Sequence, residues 1–179
     1  MIRLFAALAL PDEIAQPLAR RQHGVEGARW RNREALHITL RFFGSVREDL
    51  ARDLDVELAT VTTGPVELTL EGAGAFGEGP DLHAVWAGIA DSPSLLRLAH
   101  ACEVSARRVG LAPDKRRFHP HVTLAYLKRA DPGQVAAWIQ ENTLLKSPAF
   151  TADRFGVYSS HLSPSGSHYR LEAEYPLKG

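Results

Sequence analysis

His37 and Thr39 lie in the stretch ALHITLRFFG (35–44), and His121 and Thr123 lie in HPHVTLAYLK (119–128), 84 positions further on. An imidazole titrates near neutral pH. A pair of them can therefore supply one neutral base and one protonated acid. In-line displacement at phosphorus needs both, on opposite sides of the phosphorus atom. Threonine hydroxyls can donate to the non-bridging oxygens, and guanidinium groups can stabilise their charge. Neither a metal ion nor a covalent intermediate is required.

The same residues admit other readings. His119 and His121 form a His-x-His that, with His37, resembles a metal-ligand set. No cysteine lies near these motifs in sequence, Glu34 is the one carboxylate in their two basic segments, and the surrounding charge is positive, so no metal site is expected. Ser159 and Ser160 lack the Gly-x-Ser-x-Gly turn of a nucleophilic serine. Cys102, the one cysteine, falls in an apolar helical pattern and reads as a buried small hydrophobe in a reducing compartment.

Net charge is zero but uneven. Residues 29–41 sum to +3 and residues 115–129 to +5, so both motifs sit in basic segments of a neutral chain. A local positive field suggests an anionic ligand rather than bulk coating of nucleic acid. Strict alternation along a strand puts Arg41 and Phe43 on the face of His37 and Thr39, where they would contact phosphate and stack on a base. It turns Ile38, Leu40 and Phe42 into the core. In the second copy His119, His121 and Thr123 share a face, while Val122, Leu124 and Tyr126 point inward. Trp30 is a further stacking candidate.

The elements that must position these groups alternate in type. Ile2–Leu10 reads as a central strand rather than a signal peptide, because its seven-residue apolar run stops at Pro11-Asp12-Glu13. A helix is predicted from Pro11 to near Gly24, a strand over 36–43 and a helix from Glu48 to about Thr62. Residues 66–71 and LHAVWAGIA form a hairpin around GAGAFGEGP, read as its loop. A helix over 93–109, a strand over 119–127, a short helix over 132–140 and two closing strands joined by SPSGS complete the chain. No run approaches a membrane span, and no linker divides the chain. The pattern indicates an α+β protein of two similar lobes, each an antiparallel sheet backed by helices. A pseudo-twofold axis relating them would bring two imidazoles and two hydroxyls together across a cleft.

Together the two His-x-Thr motifs resemble the 2H phosphoesterase superfamily. RLFAALALP, Trp30 ahead of LHITLRFFG, FHPHVTLAYLKR and LSPSGSHYRLEAEYPL are similar to segments of its RNA 2′,3′-cyclic phosphodiesterases, also called 2′-5′ RNA ligases. The resemblance covers nearly the whole chain. It implies one bilobal domain over 1–179, with two pseudo-twofold-related antiparallel sheets, helices on their outer faces and a central cleft. It implies metal-independent hydrolysis of a terminal RNA 2′,3′-cyclic phosphate to a 2′-phosphate, with weak 2′-5′ ligation as the reverse reaction. His37 would be the proton donor, His121 the proton acceptor, and Thr39 and Thr123 the phosphate-binding hydroxyls. The family often has an arginine where Tyr126 stands; Arg117, Lys128 and Arg129 are candidates to replace it. A 2′,5′-phosphodiesterase, a small cyclic-nucleotide phosphodiesterase and a non-catalytic RNA-end binding module are the alternatives. A cytoplasmic monomer with no cofactor, acting on RNA termini or nucleotides with a 2′,3′-cyclic phosphate, is expected.

Overall fold

Five consecutive buried residues, Leu4 to Leu8, make the first strand, β1 (Ile2–Ala9), the spine of the protein. The computed structural model describes residues 1–178. After β1 come α1 (Asp12–Leu18), β2 (Arg29–Trp30), β3 (His37–Val46), α2 (Glu48–Leu58), β4 (Val66–Leu68), β5 (Leu70–Phe76), β6 (Ala84–Ile89) and α3 (Pro93–Arg108). The chain closes with β7 (His121–Tyr126), α4 (Pro132–Glu141), β8 (Phe150–Ala152), β9 (Arg154–Ser163) and β10 (Gly166–Pro176). Two elements of the helical layer begin on side-chain caps. Ser92 accepts from the Leu95 N–H ahead of Pro93 in α3, and Asp131 accepts from the Gly133 N–H ahead of Pro132 in α4. α1 is shorter than the sequence suggests. Pro17 withholds an N–H there, and a 3₁₀ turn over Ala19–Arg21 comes next. None of the helices is long and apolar enough to cross a membrane among the described residues.

The large antiparallel sheet has the order β10-β9-β1-β3-β7-β6-β5, with β2 paired to β7; β4 and β8 form a small second sheet. This is the expected α+β architecture, with one qualification. The half-sheets carrying the two motifs meet through a single residue pair, Ile38↔Val122. Both residues are fully buried. Antiparallel register continued by one residue either way sets His37 across from Thr123 and Thr39 across from His121. The pseudo-twofold axis therefore passes through the Ile38–Val122 pair, and β3 and β7 splay on either side of it to open a cleft.

Strict alternation fails on both strands, at the same place in each motif. Against β1, Arg41 pairs with Ala6 and Thr39 with Ala7, so Leu40 is an extra residue. Against β6, Ala125 pairs with Val85 and Thr123 with Trp86, so Leu124 is an extra residue. Each His-x-Thr-Leu thus carries a β-bulge at its leucine, and the bulge reverses the in–out phase of the next residues along the strand. Arg41 and Ala125 become buried, while Phe42 and Tyr126 are 47% and 43% exposed. The expectation that Phe42 and Tyr126 point inward is corrected by this shift.

The glycine-rich stretch expected as a loop is mostly strand β5. Its turn is confined to the residues between Phe76 and Ala84. The glycine has a packing reason, since a Cβ at Gly74 would lie 2.4 Å from Cζ2 of Trp86. Gly74 lets the indole lie flat across the strand, and that indole belongs to the surroundings of the second motif.

Candidate active site

Both histidines are held in the same way. The His37 Nδ1–H donates to the Ala35 carbonyl at 2.8 Å, and the His121 Nδ1–H donates to the His119 carbonyl at 2.6 Å. A carbonyl cannot donate, so each bond places the ring proton on Nδ1 and leaves the Nε2 lone pair free. At His37 that lone pair accepts from the Thr39 hydroxyl at 3.0 Å. The short backbone bond within each motif thereby fixes both the tautomer and the ring direction.

Aromatic side chains wall each imidazole. His37 lies 5.0 Å from the Phe5 ring and 5.3 Å, edge-on, from the Tyr169 ring. His121 lies 4.7 Å, edge-on, from Phe76 and 6.3 Å from Trp86. Such surroundings exclude water and disfavour the imidazolium. Burial pulls His37 down to about 4; the charges of Arg31 and His121 add to that, against the backbone bond from Ala35. His121 is also lowered, first by burial and then by the charge of His119, with its own backbone bond opposing. Both rings are neutral in the open cleft near pH 7. An anion between them would act in the opposite sense and favour protonation.

A cavity of about 700 Å³ opens here. Thr39, His121 and Thr123 line it together with Phe42, Phe76 and Tyr126, and it extends to Arg116 and Arg117. The Arg116 guanidinium sits 5.9 Å from the centre of the Phe42 ring. Three of the four residues of the repeated motif thus line one cleft, and His37 meets it through its hydrogen bond to Thr39.

Of the two other predicted contacts, Phe43 lies outside the cavity and Arg41 lines it with its guanidinium occupied. Phe43 is buried at 8% exposure in the main core and does not face the cavity. The bulge at Leu40 puts Phe42 in the position expected for Phe43. Arg41 reaches the cavity wall, but all three of its guanidinium nitrogens are engaged by protein: Nε by Glu103 on α3, Nη1 by the Phe42 carbonyl and Nη2 by the Ala112 carbonyl. It ties β3 to α3 and to the segment after it. Trp30 packs 6.2 Å from Trp138. Of the basic residues considered as replacements near Tyr126, Arg117 lines the cavity. Sequence reasoning missed Phe5, Phe42, Phe76, Trp86, Tyr126 and Tyr169. The exposed pair Phe42 and Tyr126, each three positions after its threonine, is the one signal that a bulge at both leucines would have revealed.

Among the described residues no group of three or more His, Cys, Asp or Glu side chains is arranged to hold a metal ion. The family model of the 2′-5′ RNA ligase superfamily matches residues 10–163, which include both His-x-Thr strands. The chain belongs to the 2′-5′ RNA ligase superfamily. Relatives match it over most of its length. An RNA 2′,3′-cyclic phosphodiesterase of Archaeoglobus fulgidus is 31% identical over 172 residues, covering 94% of this chain and 97% of its own. One from Escherichia coli is 33% identical over 126 residues, covering 68% of this chain and 70% of its own. Solved superfamily-like structures superpose closely. A Thermus thermophilus protein matches with a TM-score of 0.82 at 25% identity, covering 99% of each chain. E. coli LigT complexed with 3′-AMP matches with a TM-score of 0.81 at 26% identity, again over 99% of each chain.

Proposed function

We propose that this superfamily member hydrolyses a terminal RNA 2′,3′-cyclic phosphate to a 2′-phosphate, using two histidines and no covalent intermediate. The observation that carries the reading is the pair of imidazoles, each with Nδ1–H spent on a backbone carbonyl, on strands joined through Ile38↔Val122, with Nε2 bonded to the Thr39 hydroxyl at His37 and free of a protein partner at His121. Two titratable groups so placed suit proton transfer on both sides of one phosphorus atom. The names of the relatives, RNA 2′,3′-cyclic phosphodiesterases, support the substrate.

In this mechanism His121 Nε2 takes a proton from a water molecule as its oxygen attacks phosphorus. The bond from phosphorus to the ribose 3′-oxygen breaks, and protonated His37 delivers its Nε2 proton to that oxygen. Thr39 and Thr123 donate to the non-bridging oxygens, whose charge grows in the transition state. His37 is neutral in the unliganded cleft, so its proton is recruited when the phosphodiester anion enters and raises its affinity for protons. Arg116, over Phe42, offers a cation and a stacking surface to the nucleotide. Weak 2′-5′ ligation follows from microscopic reversibility when a ribose hydroxyl replaces water. A reducing compartment such as the cytoplasm is consistent with the single buried cysteine.

The test is incubation with an RNA oligonucleotide ending in a 2′,3′-cyclic phosphate, in excess EDTA, followed by ³¹P NMR of the product. A 2′-phosphate is expected. No turnover would refute the enzyme, and turnover only without chelator would refute the metal-independent route. A 3′-phosphate would reverse the choice of leaving oxygen.

A further inference from the structure

A second cavity, of about 590 Å³, lies beside the first and shares Tyr126 with it. Its walls come from β2 with the segment after it and from the β9–β10 turn, among them Arg29, Arg31, Ser165, His168 and Tyr169. Nothing in the proposed reaction uses it.

One guanidinium in its wall, that of Arg31, holds a buried nitrogen without a hydrogen-bond partner. The Arg31 Cζ lies 5.4 Å from the Tyr126 ring centre and 5.1 Å from that of Tyr169, so both rings hold the side chain by cation–π contact. Its backbone is pinned as well: the N–H donates to the Leu124 carbonyl at 2.8 Å, and the carbonyl accepts from Gln22 Nε2 at 2.8 Å. Its buried Nη2 has no hydrogen-bond partner. Exposed Arg29 lies against the β9–β10 turn, with Nη2 3.1 Å from where a Cβ would stand on Gly166. Neither arginine has an ion-pair partner among the described residues. Glu34 is the one acidic residue of the wall. In the turn, His168 Nε2 is within hydrogen-bonding distance of both Ser163 Oγ at 2.8 Å and Ser165 Oγ at 3.0 Å, which orders two hydroxyls at the same cavity.

An unpartnered buried donor costs free energy, and guanidinium groups match phosphate oxygens with paired N–H groups. We infer, resting on the RNA-end reading above, that the second cavity binds the RNA backbone on the 5′ side of the reacting nucleotide, with Arg29 and Arg31 contacting its phosphodiester groups. The strand leaves the catalytic cleft past Tyr126. A polynucleotide fits better than a free anion for two reasons. The cavities are contiguous through one side chain, and Tyr126 and Tyr169 offer the aromatic faces on which successive bases stack. The opposite end of the first cavity, at Phe42 and Arg116, is the competing exit.

Substrate length separates this inference from the reading it rests on. Turnover is compared on a nucleoside 2′,3′-cyclic phosphate and on a hexanucleotide with the same end, for wild type, Arg29→Gln, Arg29→Lys and Arg116→Gln. Arg29→Gln is expected to lower kcat/KM roughly tenfold on the hexanucleotide, the scale of one charged hydrogen bond, and to leave the mononucleotide unchanged. The slope of log kcat/KM against log salt should fall by about 0.7 for each phosphate that the protein no longer neutralises, and Arg29→Lys should retain most of it. Equal effects of Arg29→Gln on both substrates would overturn the inference. So would a length-dependent loss seen with Arg116→Gln alone. If the wild type turned over neither substrate, the phosphodiesterase reading would fail by itself. Fluorescence anisotropy of a labelled hexanucleotide ending in a 3′-phosphate then decides the subsite: weaker binding by Arg29→Gln supports it, and equal binding refutes it.

Discussion

Acidification should weaken this fold through His37, and the size of the loss follows from its surroundings. Burial beside Phe5 and Tyr169, aided by the Arg31 charge, takes the imidazole from the ordinary 6.5 to about 4. The unfolded chain therefore binds the proton first as pH falls. The stabilising contribution of neutral His37 is complete above pH 6.5 and is lost progressively down to about pH 4. Each unit of displacement corresponds to about 1.4 kcal/mol, so the full loss is about 3 kcal/mol, of which about 2 kcal/mol is gone at pH 5. Urea unfolding followed by tryptophan fluorescence at pH 7, 6 and 5 measures it, with His37→Gln as reference. Gln does not titrate, so background acid effects common to both proteins cancel. The difference in stability should move by about 2 kcal/mol in favour of the variant between pH 7 and pH 5. Parallel curves, with a difference constant to about 0.5 kcal/mol, would refute the burial argument.

Further predictions concern the bulged strand and the pH profile. Phe43→Ala should cost about 3–4 kcal/mol in urea unfolding, as a buried aromatic does, whereas Phe42→Ala should leave stability nearly unchanged and raise KM for RNA. Removing either member of the pair of buried Arg41 and half-buried Glu103, by Arg41→Met or Glu103→Gln, should cost about 3 kcal/mol; a double-mutant cycle should find the double variant far less destabilised than the sum. The kcat/KM profile should be bell-shaped with an acid limb below the ordinary histidine range, because burial lowers both rings. The kcat profile should shift to higher pH as the bound anion favours the imidazolium; coincident profiles would contradict that electrostatic account.

Much of the site was legible because its chemistry is written twice. His37-x-Thr39 and His121-x-Thr123 give both the paired groups and the strand period that turns them to one side. The hidden part depends on register. Alternation assumes an unbroken ladder, and nothing in HITLRFF marks Leu40 as an extra residue opposite β1. Alternation therefore turns both Arg41 and Phe43 to the cleft, although Arg41 ties β3 to α3 and Phe42 takes the exposed position. The glycine run GAGAF reads as a loop until Trp86, twelve residues after Gly74 in the chain, is seen to need the space. Nothing in the sequence distinguishes Arg31 among four arginines in thirteen residues. Its setting comes from Tyr126 and Tyr169, far along the chain. Pairwise chemistry within a motif survives in the sequence; contacts made by distant elements do not.

The central claim is that His37 protonates the departing 3′-oxygen while His121 activates water. It is tested most directly by an RNA end whose 3′-oxygen is replaced by sulfur, because a thiolate leaves without a proton. On the natural cyclic phosphate, His37→Ala and His121→Ala should each lose roughly 10²-fold or more in turnover. On the 3′-thio substrate, His37→Ala should recover most of that loss and His121→Ala none of it. Recovery by His121→Ala instead would reverse the roles, and recovery by neither would contradict acid catalysis at the leaving oxygen.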